Sequence, residues 1–172
     1  MKIKSALIAF AVANMFVGGA AHTQIMGMNG VWRLNQELSF PKAKCEILNY
    51  AITADEQHYV VDEISSDGKK FNTEYRARYD GKEYANRNLV SGEVNYVKLR
   101  KVLDRVEEVT NIRHEKGSDG KETNVVRKYY IRMLSPNSKQ IMSVLSSILP
   151  DGTFQVTGVR YFDKVEGSKP KC

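Results

Sequence analysis

The sequence predicts an all-β protein, an eight-stranded antiparallel up-and-down β-barrel, and three observations support this prediction. Between residues 32 and 165 no stretch has the residue spacing of a long amphipathic helix. In the same region β-branched and aromatic residues alternate with polar ones in short runs, as in half-buried strands. Asp-Gly pairs, which favour tight hairpin turns, separate several runs; they are Asp67-Gly68, Asp80-Gly81, Asp119-Gly120 and Asp151-Gly152.

Eight of these runs have the length and alternation of strands, and a turn signal or polar linker bounds each one. A shorter segment, Gly30–Phe40, precedes them. The stretch 83–93 is the least regular, and we interpret it as a long loop or lid over one mouth of the barrel. The predicted strands are Lys44–Thr53, Gln57–Ser65, Lys70–Tyr79, Val94–Val102, Arg105–Glu115, Thr123–Leu134, Ile141–Leu149 and Phe154–Val165.

Closure of the sheet into a barrel is favoured over the competing architecture, a flattened sandwich. Antiparallel strands joined by short hairpins remove their exposed edges when the sheet closes on itself. The connections are local throughout, without the long crossover of a Greek key. An eight-stranded barrel has an interior that side chains fill or that holds one small ligand.

The composition is that of one ordinary globular domain. The 172 residues include 27% charged and 42% hydrophobic residues and two cysteines, with a formal net charge of +6. These values exclude a multidomain enzyme, a disordered tail and a cysteine-stapled miniprotein. The charges of both signs are interspersed, without the basic stripe of a nucleic-acid binder, so we expect no nucleic-acid partner.

The first 21 residues predict a cleaved secretory signal. Lys2 and Lys4 precede an apolar run over 6–17, and small residues follow over 18–21. The alternative is a transmembrane anchor, but the run is shorter than the roughly 20 residues that span a bilayer. We therefore expect a secreted or periplasmic bacterial protein without an integral membrane span in its mature form. After residues 1–21 the predicted organisation is a short lead over 22–29, the barrel over 30–166 and a tail over 167–172.

If the protein is exported, its two cysteines are expected to form a disulfide. An oxidising compartment lets Cys45 and Cys172 form a disulfide. This bond would hold the C-terminal tail near the start of the first long strand, and chain entropy gives a loop of this length about 4–5 kcal/mol. Two unpaired thiols are the alternative.

One segment near the N-terminus carries a resemblance to a known family. The run Gly30-Val31-Trp32-Arg33-Leu34-Asn35, followed by Ser39-Phe40-Pro41, resembles the opening of bacterial lipocalin-like proteins, which are exported calycin-type small barrels. The likeness continues through the segments 79–84, 97–101, 106–110 and 161–165. It implies a small exported β-barrel that binds a ligand in its interior.

The Gly-x-Trp motif predicts a structural plug at one end of the barrel. Gly30 would let the entering strand pass close to the barrel floor, and Trp32 would fill that end with a large apolar ring. Lipocalins usually lay a basic side chain from the last strand across this ring. Lys164 or Arg160 would make that cation–π contact here.

The sequence contains no recognisable catalytic or metal-binding motif. His58 and His114 lie on separate predicted strands and His22 lies beside the cleavage point, so we expect no metal and no cofactor. There is no Gly-x-Ser-x-Gly nucleophile elbow either.

Two adjacent carboxylates, Glu107 and Glu108, point to opposite faces of a strand and cannot form a catalytic pair. One of them must face inward unless a bulge intervenes. If Glu108 is the inward one, it would be an acid inside the barrel and a polar anchor for a ligand. It would need a partner such as Arg127 or Lys101.

Tyrosine is the most abundant aromatic residue, with nine tyrosines against six phenylalanines and one tryptophan. An apolar ring with a hydrogen-bonding hydroxyl suits a cup for an amphipathic guest. The alternative is that about half of the tyrosines lie on the outer surface; Tyr129 and Tyr130 are neighbours, so one of them must. The candidate ligand-binding residues are Phe71, Tyr75, Tyr79, Glu108, Arg127, Tyr129 and Tyr161.

Three hypotheses for function follow. The first is an exported protein that binds a small hydrophobic or amphipathic molecule in the barrel. The second is a cofactor-free isomerase or cyclase that uses the same cavity, since catalysis by proximity and orientation leaves no motif. The third is an envelope protein–protein interaction module. Under any of the three we expect a monomer or a homodimer. A wide cavity in the barrel favours ligand binding. A constricted cavity with an acid and a base in contact favours catalysis, and an interior filled by side chains favours the protein–protein interaction module.

Overall fold

The computed structural model describes residues 27–149, 151–167 and 170–172, with the backbone but not the side chains of residues 123, 124, 126 and 127. The predicted signal peptide lies outside the described residues. Over the described ranges the chain forms ten β-strands, and none of it forms a helix long and apolar enough to cross a membrane. The strands are β1 (Gly30–Leu34), β2 (Cys45–Ile52), β3 (Glu56–Ile64), β4 (Lys70–Arg78), β5 (Tyr84–Asn88), β6 (Val94–Leu103), β7 (Val106–Lys116), β8 (Glu122–Leu134), β9 (Gln140–Ile148) and β10 (Phe154–Lys164).

The ten strands form a closed antiparallel up-and-down barrel. Each strand pairs with the next along the chain, and β10 returns to pair with β1, where Trp32 lies opposite Lys164. The all-β class and the closed barrel are therefore confirmed, but the predicted number of eight strands is wrong.

The two additional strands form because each pairs with the exposed edges of two neighbouring strands. The segment 84–88, predicted as part of a lid, is β5 and pairs with both β4 and β6. The start of the segment Gly30–Phe40 is β1, which joins β2 to β10. Without these two short strands, the backbone groups along β2, β4, β6 and β10 would each form an unpaired edge.

The predicted hairpin turns lie where the Asp-Gly pairs are. The glycines have φ angles of +89° at Gly68, +72° at Gly81, +76° at Gly120 and +82° at Gly152. Only glycine adopts this region without a steric cost, so these four residues determine where the chain reverses.

One end of the barrel is closed by the region around Trp32. The Trp32 side chain is fully buried, and its indole N–H donates a hydrogen bond to the Met28 carbonyl at 2.8 Å. The Lys164 ammonium lies 5.3 Å from the Trp32 ring centroid, a cation–π distance. Arg160, the other residue considered for this contact, lies elsewhere in the barrel.

Two glycines are required for different reasons. Gly30 has a φ of +120°, a backbone conformation that favours glycine. A Cβ at this position would meet only Lys164 Cε, at an ordinary contact distance of 3.6 Å. Glycine is therefore required for its backbone conformation, and the predicted close approach of the strand to the barrel floor is not the reason. Gly158 has the close approach, because a Cβ there would lie 2.4 Å from the Phe40 carbonyl oxygen. At that point the β1–β2 loop crosses β10, and Phe40 pairs with Val159.

Cys45 and Cys172 form a disulfide, with their Cα atoms 5.7 Å apart. The Cys172 backbone N–H also donates to Asp62 Oδ2 at 3.3 Å. The last residue of the chain is therefore held beside the neighbouring strands β2 and β3.

Candidate functional site

A cavity of about 450 Å³ occupies the part of the barrel away from Trp32. It opens at the end where the β3–β4, β5–β6 and β7–β8 hairpins lie, because Ser65, Glu93 and Arg113 near these hairpins line it. Inward-facing residues of nine strands, β2 to β10, contribute to its lining. Its volume is in the range of small-molecule binding sites.

The bottom of the cavity is a layer of tyrosine rings. Tyr59 stacks on Tyr75 with ring centroids 4.9 Å apart, and Tyr50 meets Tyr59 edge to face at 4.9 Å. The Arg132 guanidinium lies 4.7 Å from the Tyr59 ring centroid. These three rings with Arg132 and Glu107 are called the tyrosine floor below.

The charges of the tyrosine floor are paired with each other. Arg132 donates to Glu107 Oε1 at 3.2 Å and to the Tyr59 hydroxyl at 3.2 Å. The Tyr50 hydroxyl donates to the same carboxylate oxygen at 3.4 Å. Glu107 has no exposed surface and Arg132 retains 6%, so only a pairing of this kind makes the two charges tolerable.

Two further side chains complete the hydrogen bonding of the floor. Gln57 donates to the Tyr75 hydroxyl at 2.8 Å. The Tyr79 hydroxyl lies within hydrogen-bond distance of both Gln57 Oε1 and Glu107 Oε2. Burial raises the pKa of Tyr75 and Tyr79 well above its ordinary value, so both phenols stay protonated and remain donors at physiological pH.

A second charged cluster lies on the wall formed by β2, β3 and β10. Arg160 Nη1 lies 2.5 Å from Glu46 Oε2 and 3.2 Å from Glu63 Oε1. Burial raises the pKa of Glu46 to about 7, although the positive charge of Arg160 acts in the opposite direction. A carboxyl group that titrates near neutrality therefore lines the cavity.

Four asparagines line the cavity across the barrel from that cluster. Asn88 accepts hydrogen bonds from two backbone N–H groups of the β5–β6 hairpin, and the other three lie one each on β5, β6 and β7. Asn86 is paired in register with Asn95, and Asn111 is paired with Val97, two residues further along β6. The carboxamide oxygens of all three are buried and have no hydrogen-bond partner among the described residues. These three asparagines are called the carboxamide wall below.

One side of the cavity is apolar. It comprises Leu48, Val61, Leu145 and Phe162 on β2, β3, β9 and β10. Large hydrophobic side chains are also exposed around the open end, in the β1–β2 loop, at the start of β4 and in the β5–β6 and β9–β10 hairpins. This apolar rim consists of Leu38, Phe40, Phe71, Leu89, Val90 and Leu149, whereas Val94, Phe154 and Val156 are exposed on the outer face of the barrel.

The structure places the predicted ligand-binding residues in three groups. Phe71 and Tyr75 line the cavity. Tyr79 lies deeper, against the tyrosine floor. The side chain of Arg127 lies outside the described residues, although its backbone belongs to β8.

Glu108, Tyr129 and Tyr161 lie on the outer face of the barrel, which corrects the prediction for these three residues. Each lies between two residues that face inward, and side chains alternate along a strand. Glu108 has Arg100 at 3.9 Å as its ionic neighbour, and Tyr129 packs against Phe154. The neighbour of Glu108, Glu107, is the inward carboxylate, and it pairs with Arg132.

The predicted structural residues are also separated. Gly30, Trp32 and Lys164 lie together at the closed end, whereas Arg160 lines the cavity with Glu46 and Glu63. Sequence reasoning missed these two glutamates and the carboxamide wall. No local sequence signal identifies them, because a single Glu or Asn in a strand can face either the interior or the solvent, and the sequence around it does not show which.

Neither histidine of the barrel strands belongs to the cavity. His58 pairs with Glu74 at 2.6 Å, and His114 with Glu83 at 2.7 Å. In the part of the chain that the structure describes, no three His, Cys, Asp or Glu side chains converge as they would around a metal ion.

Comparison of the chain with protein-family models and with curated proteins found no match. We therefore infer its function from the cavity and the side chains that line it. These side chains can hold a small molecule between an apolar surface and a hydrogen-bonding one, and Glu46 can exchange a proton with it near neutral pH.

Proposed function

We propose that this chain is an exported lipocalin-like protein that binds one small amphipathic molecule in its barrel. The observation that carries the proposal is the 450 Å³ cavity, which is open at one end and lined on different sides by apolar residues and by carboxamides. Concave sites of this size with a few placed polar groups are typical of small-molecule binding. A filled interior would have favoured an interaction module instead.

The apolar rim supports an amphipathic guest. Monomeric proteins seldom expose many large hydrophobic side chains in one region without a binding role. Here Phe40 and Val90 are 72% and 61% exposed at the end where the cavity opens. A guest with an apolar part would contact this rim as it enters.

Two features support export. The N-terminal residues 1–21 have the composition of a secretory signal. Cys45 and Cys172 are paired, and disulfides form and persist in oxidising compartments such as the periplasm.

Native mass spectrometry of protein purified from the periplasm tests the proposal. We expect a bound small molecule that is lost on denaturation. Filling the cavity with Leu145→Trp should abolish its retention, whereas Val144→Trp, a change on the outer face of the same strand, should not. Bare polypeptide, together with unchanged tyrosine fluorescence across a panel of amphiphiles, would count decisively against binding.

A second candidate function is acid–base catalysis on the bound molecule, as in a cofactor-free isomerase or cyclase. It is favoured by Glu46, because a general acid or base is most effective when its pKa is near the working pH, and that of Glu46 is about 7. The test is to incubate the retained molecule with the protein and with Glu46→Gln. Conversion by the wild type alone, with equal binding by both, would assign catalysis; no conversion by either would leave carriage as the function.

A further inference from the structure

The carboxamide wall has unused capacity to accept hydrogen bonds. The Oδ1 atoms of Asn86, Asn95 and Asn111 are buried beside the cavity and have no donor among the described residues. Buried polar groups in folded proteins nearly always have a partner. Three such atoms on adjacent strands, all in the lining of one cavity, therefore indicate a guest or ordered solvent that supplies the donors.

The spacing of these groups follows from the strand register. Asn86 and Asn95 lie directly opposite each other on β5 and β6. Asn111 on β7 lies diagonally from Asn95, since Asn111 pairs with Val97. Directly opposed side chains have Cβ atoms about 5 Å apart and diagonal ones about 7–8 Å apart. The wall therefore matches several donors distributed along one edge of a small molecule.

The two arginines deep in the lining are already paired with carboxylates. Arg160 binds Glu46 and Glu63, and Arg132 binds Glu107. At the mouth Arg113 lies 3.9 Å from Glu93, and the exposed Lys128 is in contact with solvent. An anionic headgroup deep in the cavity would have to break one of the inner pairs, because Lys128, which has no ion-pair partner among the described residues, lies at the solvent-exposed mouth. A neutral headgroup with hydrogen-bond donors would use the asparagines as they stand.

The surfaces around the carboxamide wall determine the rest of the guest. Leu48 and Phe162 lie across the barrel from it, on strands on the far side of the ring. Tyr75 of the tyrosine floor is paired in register with Asn86, so its ring lies next to the carboxamide wall. A guest would thus have an apolar face against leucine and aromatic rings and a polar edge against the asparagines.

We propose that the guest is a neutral polyhydroxylated amphiphile, of the chemical class of a sugar glycoside, and that Asn86, Asn95 and Asn111 bind its hydroxyl groups. This inference rests on the proposed binding function and specifies its ligand class. A fatty acid of the same chain length would bind less well, because its carboxylate brings no donor to the carboxamide oxygens and the inner arginines are occupied. Lys128, opposite Asn111 on β8, is left for a carboxylate, but it is exposed to solvent, where an ion pair contributes little.

The experiment compares two probes with the same alkyl chain. The mature protein is titrated by calorimetry with n-hexyl β-D-glucoside and, separately, with hexanoate. We expect the glucoside to bind at least tenfold more tightly. Asn95→Leu and Asn111→Leu should each weaken glucoside binding about tenfold, the loss of one hydrogen bond.

The matched control is Asn72→Leu. Asn72 also has a buried Oδ1 without a hydrogen-bond partner in the described part of the chain, but it lies on the outer face of β4 between Phe71 and Thr73, which line the cavity. Its substitution should leave glucoside binding unchanged. Thermal unfolding of all three variants checks their folding, and replacement of an unpartnered buried acceptor by an apolar group should not lower the midpoint.

The outcomes separate this inference from the proposed function. Tighter binding of hexanoate, or glucoside binding that Asn95→Leu and Asn111→Leu do not weaken, would overturn the inference and leave the binding function in place; the carboxamides would then be hydrated only. Failure of the glucoside, hexanoate and the wider amphiphile panel to bind would overturn both. Shifted Asn86, Asn95 and Asn111 carboxamide signals in the NMR spectrum on glucoside addition would support it directly.

Discussion

The tyrosine floor and the carboxamide wall are two polar regions of the same barrel interior, and they differ in how their polar groups are satisfied. In the floor Glu107 receives hydrogen bonds from Arg132 and tyrosine hydroxyls, so its charge is neutralised within the protein. In the wall the oxygens of Asn86, Asn95 and Asn111 have no described donor. A buried polar group that is satisfied internally stabilises one structure, whereas one that is not is available to a ligand.

This difference predicts opposite effects of mutation in the two regions. Removal of a polar group from the floor leaves its partner buried and unpaired, which costs stability. Removal of a carboxamide from the wall leaves no partner behind, so it should cost binding and not stability.

The largest effect on stability should come from neither region. Replacing both cysteines, Cys45→Ser with Cys172→Ser, should lower the free energy of unfolding by about 4–5 kcal/mol, because the bond closes a loop with a sequence separation of 127. Urea unfolding measures the change. Since the bond acts on the unfolded chain, ligand binding by the folded variant should not change; equal stability of the two proteins would contradict the prediction.

Glu107→Leu should break the floor. It leaves the Arg132 guanidinium buried without its carboxylate, so we expect a loss of about 3–5 kcal/mol in urea unfolding. Glu108→Leu is the matched control, because this neighbour faces outward, where it interacts with Arg100 at 3.9 Å and with the Tyr129 hydroxyl. Its effect should be below about 1 kcal/mol. Similar losses for both variants would show that the two side chains do not face opposite ways.

Glu46 is an intermediate case, since it is paired yet lines the cavity. Its pKa is about 7 in the folded protein against an ordinary 4.5, so the folded state retains a proton that the unfolded state releases. The associated stability is fully present below pH 4.5 and is lost as the pH rises through 7, by up to about 3 kcal/mol.

Unfolding measured from pH 4 to 8 tests this dependence. Glu46→Gln should flatten the decrease between pH 4.5 and 7, while Glu37→Gln, a change in the exposed β1–β2 loop, should leave it as in the wild type. An unchanged slope in Glu46→Gln would rule out Glu46 as its source.

The smallest effect should be at the closed end. Lys164→Met removes the cation over the Trp32 ring, and for an exposed lysine this contact contributes about 0.5–1 kcal/mol. Unfolding followed by Trp32 fluorescence measures it, with Lys82→Met in an exposed turn as the control. A loss no greater than that of Lys82→Met would mean that the contact does not contribute to stability.

Much of the fold was predictable because it depends on local chemistry. The Asp-Gly turns define four hairpins, and the eight predicted strands agree with the observed ones to within a residue or so at each end. Strand β5 was not predictable in this way, since Tyr-Ala-Asn-Arg-Asn is short and contains two residues that are depleted in strands. It is a strand because β4 and β6 both pair with it.

The candidate site was less predictable, because the sequence does not always show which of the two alternating sets of side chains on a strand faces the interior. On β4 the residues Phe71, Thr73, Tyr75 and Ala77 alternate with polar or charged ones, and this pattern indicates that Phe71 and Tyr75 share the inward face. On β7 both phases contain a valine and a glutamate, so the sequence could not decide between Glu107 and Glu108. Pairing with β8 decides it, because it places Glu107 opposite Arg132 inside the barrel.

The sequence by itself determined the all-β class, most of the strands, the hairpin positions and the one possible cysteine pair. These depend on side-chain period, on backbone preferences at glycine and on the presence of only two thiols. The tertiary structure alone decided the number of strands, which carboxylate is buried and which asparagines meet across the cavity. Alternation along a strand fixes which residues share a face, but only closure and register between strands fix which face is the interior.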